Sequence, residues 1–180
     1  MVMNPVMTLA NDNEAYLIPK WVFPGRKSRN YRTGCEKVRE NQSFGFKGQI
    51  IAGDEALKMI ALVNQERMDA GLTKLEVDST LMKLAEEKCW DMVRFNYFGH
   101  NSKQLGTIYN QLDRAQFQYQ SAAENLIGAP NPRRAFQKVL LSPAHRGNIM
   151  NPHFRKIGIA IIKGGPYGEM IVQILVDSLN

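Results

Sequence analysis

Ile157-Gly158-Ile159-Ala160-Ile161-Ile162, then Gly164-Gly165-Pro166-Tyr167-Gly168, then Met170-Ile171-Val172-Gln173-Ile174-Leu175-Val176, is the stretch whose reading decides the fold. The first block is rich in β-branched residues and reads as a buried strand. The glycine and proline cluster reads as a turn, and the third block as the returning strand of a hairpin. Upstream, the apolar residues recur at helical spacing instead. Helices come first, then a strand-like connector and a terminal hairpin, which predicts an α+β chain with an antiparallel sheet.

Working back towards the N-terminus, Asn131-Pro132 places a capping side chain before a proline at the first helical position. Ala135, Phe136, Val139 and Leu140 follow on one face. Ser142-Pro143 repeats the same signal, so a separate short helix starts there with His145 in its first turn, and Asn151-Pro152 stops it. A weaker helical pattern covers Thr107 to Phe117, with Ile108, Leu112 and Ala115 on one face. Asp78 caps a helix from Ser79 to about Arg94, whose apolar residues Leu81, Leu84, Ala85, Cys89 and Met92 share one side. It leads through the aromatic run Phe95 to Phe98 to His100. A first helix opens with Asp54 as its cap, carries Leu57, Ile60, Ala61 and Asn64 on one side, and ends at Gly71.

Residues 1–50 read differently. Pro5, Pro19, Pro24 and the Gly45/Gly48 pair argue against long regular elements. The division expected is an irregular basic extension over 1–50 and one domain over 51–180, a fitting size for 180 residues. The extension holds eight Lys/Arg against four Asp/Glu, so it carries most of the net charge of +6. Its cluster Arg26, Lys27, Arg29 and Arg32 suits contact with an anionic surface, against the plainer reading of a solvated arm. No run approaches the roughly 20 apolar residues of a membrane span, which excludes a transmembrane helix. Met1 to Ala10 lacks a basic region followed by an apolar core, so no signal peptide is expected in that stretch. The two cysteines, Cys35 and Cys89, show no metal-type spacing. Cys89 lies on an apolar helix face and reads as a core residue, although a bridge to Cys35 would staple the arm to the domain.

The chemistry gathers in three short blocks: Tyr97-Phe98-Gly99-His100, Ala123-Glu124-Asn125-Leu126, and Ser142-Pro143-Ala144-His145-Arg146-Gly147-Asn148-Ile149. Two of only three histidines bracket a glutamate. Imidazole and carboxylate bind metals and move protons near neutral pH. Two imidazoles and a carboxylate can hold zinc and polarise water, although the compact HExxH spacing is absent. Glu124 can instead serve as general base with a histidine as acid. Ser142 invites a serine-hydrolase reading, which its place as a helix cap explains more simply. His153 reads as structural.

Taken in order, these blocks resemble the CAP superfamily: cysteine-rich secretory proteins, antigen 5 and pathogenesis-related 1 proteins, in their bacterial SCP-like branch. The resemblance runs from about Leu62 to Asp177. It also takes in Leu62-Val63-Asn64-Gln65-Glu66-Arg67, Gly71-Leu72 with Leu75, Leu81 through Asp91-Met92, Asn148-Ile149-Met150, Ile157-Gly158-Ile159-Ala160 and Val172-Gln173. It implies an α-β-α sandwich, a central antiparallel sheet flanked by helices, with a cleft of two histidines and two acidic residues. His100, Glu124 and His145 map onto three of these, and Ser142 stands at the second acidic position. Val139 stands where a tryptophan is usual, and Val172-Gln173-Ile174-Leu175 where an aromatic is usual. The disulfides of eukaryotic members are absent.

Three functional readings follow, the first two from the resemblance and the third from the charge of residues 1–50, which match nothing in the family. The first is a binding module outside the cytoplasm, in the extracellular space or cell envelope, engaging a lipid, a cell-wall component or a protein. The second is a metal-assisted peptidase or esterase with Zn2+ or another divalent cation on His100 and His145 and Glu124 as base. The third is docking to an anionic surface through the basic arm. The first is favoured, because no nucleophile, second carboxylate or compact metal motif is visible.

Overall fold

A computed structural model describes residues 53–164 and 167–178. The expected extension over 1–50 and the Cys35 end of any bridge therefore lie outside the described residues. Among the described residues, five helices and four strands follow in the order α1 (Gly53–Asp69), β1 (Glu76–Val77), α2 (Ser79–Phe95), α3 (Ile108–Arg114), β2 (Tyr119–Ala129), α4 (Pro132–Leu141), α5 (Pro143–Ile149), β3 (Lys156–Lys163) and β4 (Glu169–Ser178).

The terminal hairpin forms as its sequence predicts. β3 and β4 pair antiparallel from Lys156↔Val176 to Lys163↔Glu169. β4 then pairs along its other side with β2, from Tyr119↔Ser178 to Ala129↔Glu169. The sheet order is β1-β3-β4-β2, which leaves β2 at one edge. The sheet is not wholly antiparallel: β1 adds a two-residue parallel pairing, Glu76↔Lys156 and Val77↔Ile157. So short a strand has too few residues to show a period.

Because side chains alternate across a strand, the sheet supplies two separate cores. Ile157, Ile159, Ile161, Ile171, Leu175, Ala123 and Ile127 face a layer built from α1, α4 and α5. Ala160, Ile162, Val172, Ile174, Val176, Ala122 and Leu126 face α2 and α3. β4 is buried on both sides from Glu169 to Val176, which explains its nearly continuous apolar run. This is the expected α-β-α sandwich.

The α2 helix begins as predicted, with the Asp78 carboxylate accepting from the Thr80 and Leu81 N–H groups. Its Leu81, Leu84, Ala85, Cys89 and Met92 are all buried. Burial also pushes the Cys89 thiol well above its ordinary range, so it is an inert core group. α2 lies directly on β3 at Gly158, where an added Cβ would stand 2.2 Å from the Leu81 carbonyl carbon.

The α1 helix departs from its predicted face. Ala56, Met59, Ile60, Val63 and Arg67 are buried, whereas Leu57 is 51% exposed and Ala61 is also exposed. The pattern admits both faces, and the buried one is chosen by contact with β3 and by Arg67. The Arg67 guanidinium donates to the carbonyls of Thr73, Ile149, Asn151 and Phe154, tying the end of α1 to the end of α5. Asp54 lies inside the first turn rather than capping it. Gly71 ends the helix as expected: at φ +73° its N–H reaches Met68 O while Leu72 N–H reaches Arg67 O. The α3 helix is shorter than predicted. Thr107 is its cap, Ala115 is an exposed terminal residue, and Gln111 takes the buried place beside Ile108 and Leu112.

Candidate functional site

The α2 helix stops at Asn96, which adopts a left-handed conformation (φ 51°). The chain then turns back along the helix and presents His100 to β2. There the imidazole Nδ1 lies 2.8 Å from Glu124 Oε1. Against an ionised carboxylate, which only accepts, Nδ1 would carry the proton and leave Nε2 as the other ring nitrogen to act. The Glu124 side chain is fully buried, while that of His100 keeps 18% of its surface exposed. The buried acid therefore orients a ring whose remaining edge is open. Glu124 lies in the middle of β2.

The neighbouring strand residue serves the other histidine block. β2 pleats, so Glu124 faces the α2/α3 layer and Asn125 the α4/α5 layer. Asn125 Nδ2 donates to His145 O at 3.2 Å and to Gln173 Oε1 at 3.0 Å, and its Oδ1 accepts from Asn148 Nδ2 at 2.8 Å. Two successive residues of one edge strand thus hold His100 by its ring and α5 by its backbone. His145 is buried in the first turn of α5. Ser142, at the fourth position of the expected cleft, caps that helix: its hydroxyl accepts from His145 N–H at 3.4 Å. His153 lies exposed in the loop beyond α5, outside this arrangement.

Behind His100 lie four polar residues: Lys88 and Ser102, which the sequence did not single out, and Asp91 and Tyr97, quoted above only as parts of longer blocks. Lys88 is fully buried, and its ammonium donates to the Tyr97 hydroxyl and the His100 carbonyl, each at 3.0 Å. Burial lowers its pKa, and the nearby charges of Glu124 and Asp91 oppose that shift. Asp91 accepts from the Tyr97 hydroxyl and, at 2.6 Å, from Ser102 Oγ. Desolvation first, and the bond to Asp91 second, hold the Tyr97 phenol far above its usual range. The missed signal was positional: Lys88 and Asp91 fall on the same helical arc as Leu84 and Met92.

The metal expected from the resemblance finds an incomplete donor set. Among the described residues, no group of three or more His, Cys, Asp or Glu side chains is arranged to hold a metal ion. One oxygen of Glu124 is already engaged by His100, and the other is buried without a hydrogen-bond partner. This falls short of the three protein ligands of a catalytic zinc centre.

The fold is a three-layer α-β-α sandwich of the CAP type, with Glu124 of its edge strand paired to His100 from the segment after α2. The chain belongs to the cysteine-rich secretory protein (CAP) family, whose profile matches residues 60–175. Over 109 residues it is 36% identical to the uncharacterized protein YkwD of Bacillus subtilis (strain 168), covering 60% of this chain and 42% of that protein. An extracellular SCP-domain protein from Bacillus anthracis is similar in structure, with 29% identity and a TM-score of 0.62 over 68% of this chain and 40% of that one. An outer surface protein of Borrelia burgdorferi shares the fold at a TM-score of 0.68 and 20% identity, over 73% of this chain and 98% of that one. The chain thus spans under half the length of the Bacillus relatives. Among the described residues, no helix is long and apolar enough to cross a membrane.

Proposed function

We propose that the chain is an exported binding module whose cleft presents His100 to a ligand at the cell surface. The observation that carries this reading is the His100–Glu124 pair: a fully buried carboxylate on the edge strand fixes an imidazole that keeps 18% of its surface exposed. Pre-orienting a polar group in this way lowers the ordering cost of binding. The extracellular and outer-surface character of the two structural neighbours supports export. The same geometry favours binding over hydrolysis with Glu124 as base. That carboxylate is buried and already engaged, so it is poorly placed to activate water. His100 and His145 are the residues that would hold a divalent cation such as Zn2+, a set smaller than that of a catalytic zinc centre. The basic cluster of residues 26–32 supports a further, salt-sensitive contact with anionic surfaces.

The test is co-sedimentation of the full chain with purified peptidoglycan sacculi and with phosphatidylglycerol vesicles, each with added Zn2+ or with EDTA. Saturable binding to one of them, weakened about tenfold or more in His100→Ala, is the expected result. No binding to either, or binding indifferent to His100→Ala, would overturn the reading. Loss of binding in EDTA, restored by Zn2+, would assign the metal a part. Peptide or ester turnover that vanishes in Glu124→Gln would move the chain to the hydrolase class. Deleting residues 1–50 is expected to abolish only the salt-sensitive part of vesicle binding.

A further inference from the structure

Of the residues behind His100, Lys88, Asp91 and Ser102 are buried, and the two charged ones are costly to keep. An ammonium buried in a helix face costs several kcal/mol before its partners offset it, and an apolar residue of similar volume often serves stability as well or better. Lys88 sits in such a place, on the buried arc of α2 between Leu84 and Met92. Its bonds go to the Tyr97 hydroxyl and to the backbone carbonyl of His100 itself. One turn further along α2, Asp91 takes the hydroxyls of Tyr97 and Ser102. Ser102 Oγ in turn accepts from the N–H groups of Gln104 and Leu105, each at 2.9 Å, and its backbone exchanges two bonds with Gly106. The chain is therefore pinned to one helix on both sides of His100 and at His100, across a loop that includes Gly99.

We propose that Lys88 is a positioning residue of the cleft: with Asp91, Tyr97 and Ser102 it fixes the backbone at His100 so that the imidazole meets Glu124. The proposal rests on the reading of His100 as the presented group. Glu124 supplies the acceptor for the ring, and Lys88 supplies the place from which the ring reaches it. A ring on an unpinned loop would share its proton between the two nitrogens and sample other rotamers.

The experiment reads the ring without any ligand. The full chain, labelled with 15N in its histidines, is observed by NMR at a pH where imidazole is neutral, with His100 signals identified by their absence in His100→Gln. Wild type is expected to show a single tautomer with the proton on Nδ1. Lys88→Met keeps the volume and removes the ammonium, and Tyr97→Phe keeps the ring and removes the hydroxyl. Each variant, folded by its amide spectrum, is expected to move His100 toward the mixed tautomer pattern of a free imidazole. If Lys88→Met does not fold, Tyr97→Phe decides alone. A folded variant whose His100 signals match wild type overturns the proposal. Surface binding that ignores His100→Ala would instead remove the functional reading and leave this result standing.

Discussion

At the scale of single residues, the cleft is a joint made by Glu124 and Asn125. Replacing Asn125 with Ala removes a donor to His145 O and Gln173 and the acceptor for Asn148. All three side chains of that network are buried, so the lost bonds leave polar groups without partners. A destabilisation of about 2–4 kcal/mol is expected in urea unfolding, at the upper end for a buried polar truncation. The pairing of His100 with Glu124 was legible in the sequence because their chemistry is rare and blocked together, whereas His145 joins them here through its backbone carbonyl on Asn125. Lys88 and Asp91 were not legible, because a charged residue inside an apolar helical arc reads by default as solvated. The spacing held the information, since both positions share the Leu84 and Met92 face. Asn125 was quoted in its block, yet only the pleat of β2 shows that it serves the opposite layer.

Among the elements, the strongest constraint is the approach of α2 to β3. Gly158→Ala would drive a methyl into the Leu81 backbone, which cannot rotate away. A loss of about 1–3 kcal/mol in unfolding free energy is expected, as for other overpacked cores, with the amide shifts of α2 and β3 changing most. The start of β4 makes a pH-dependent prediction. Glu169 is buried, and desolvation, with the charge of Glu55 second, raises its pKa against the opposing charge of Lys163. A carboxyl whose pKa is raised on folding favours the native state while protonated. That contribution is complete below the unfolded-state pKa and is lost as pH rises through the folded one. Glu169→Gln is therefore expected to gain stability relative to wild type as the pH moves from acid to neutral, measured by thermal unfolding across that range. An unchanged difference would show that Glu169 carries no such penalty. The hairpin, α2 and the paired caps of α4 and α5 were readable because period and capping chemistry are local. The face of α1 was not, since Leu57 and Ala61 fit a helical stripe as well as Ala56, Met59 and Val63. Contact with the sheet decided between them.

Over the whole molecule, Arg67 links segments of one helical layer that are distant in sequence. Its donors satisfy carbonyls at Thr73, Ile149, Asn151 and Phe154, and nothing in the local sequence announces those partners. Arg67→Met is expected to cost about 3–5 kcal/mol, because several buried acceptors lose a charged donor together. Chemical denaturation would measure it, and a loss below about 1 kcal/mol would show that the carbonyls find other donors. The order of helices and hairpin, with the blocks quoted for the family resemblance, was enough to expect the sandwich. The parallel β1 edge was not legible, because two residues are too few to display alternation.

On the proposed reading, the surface of this domain that meets a ligand is the edge of β2 around His100. Hydrogen–deuterium exchange of the full chain, free and bound to whichever of sacculi or vesicles it co-sediments with, locates that surface. Protection on binding is predicted in residues 97–102, 122–126 and 142–148, with the rest of the domain unchanged. Protection confined to the α1 face or to residues 1–50, with those three segments unaffected, would contradict it.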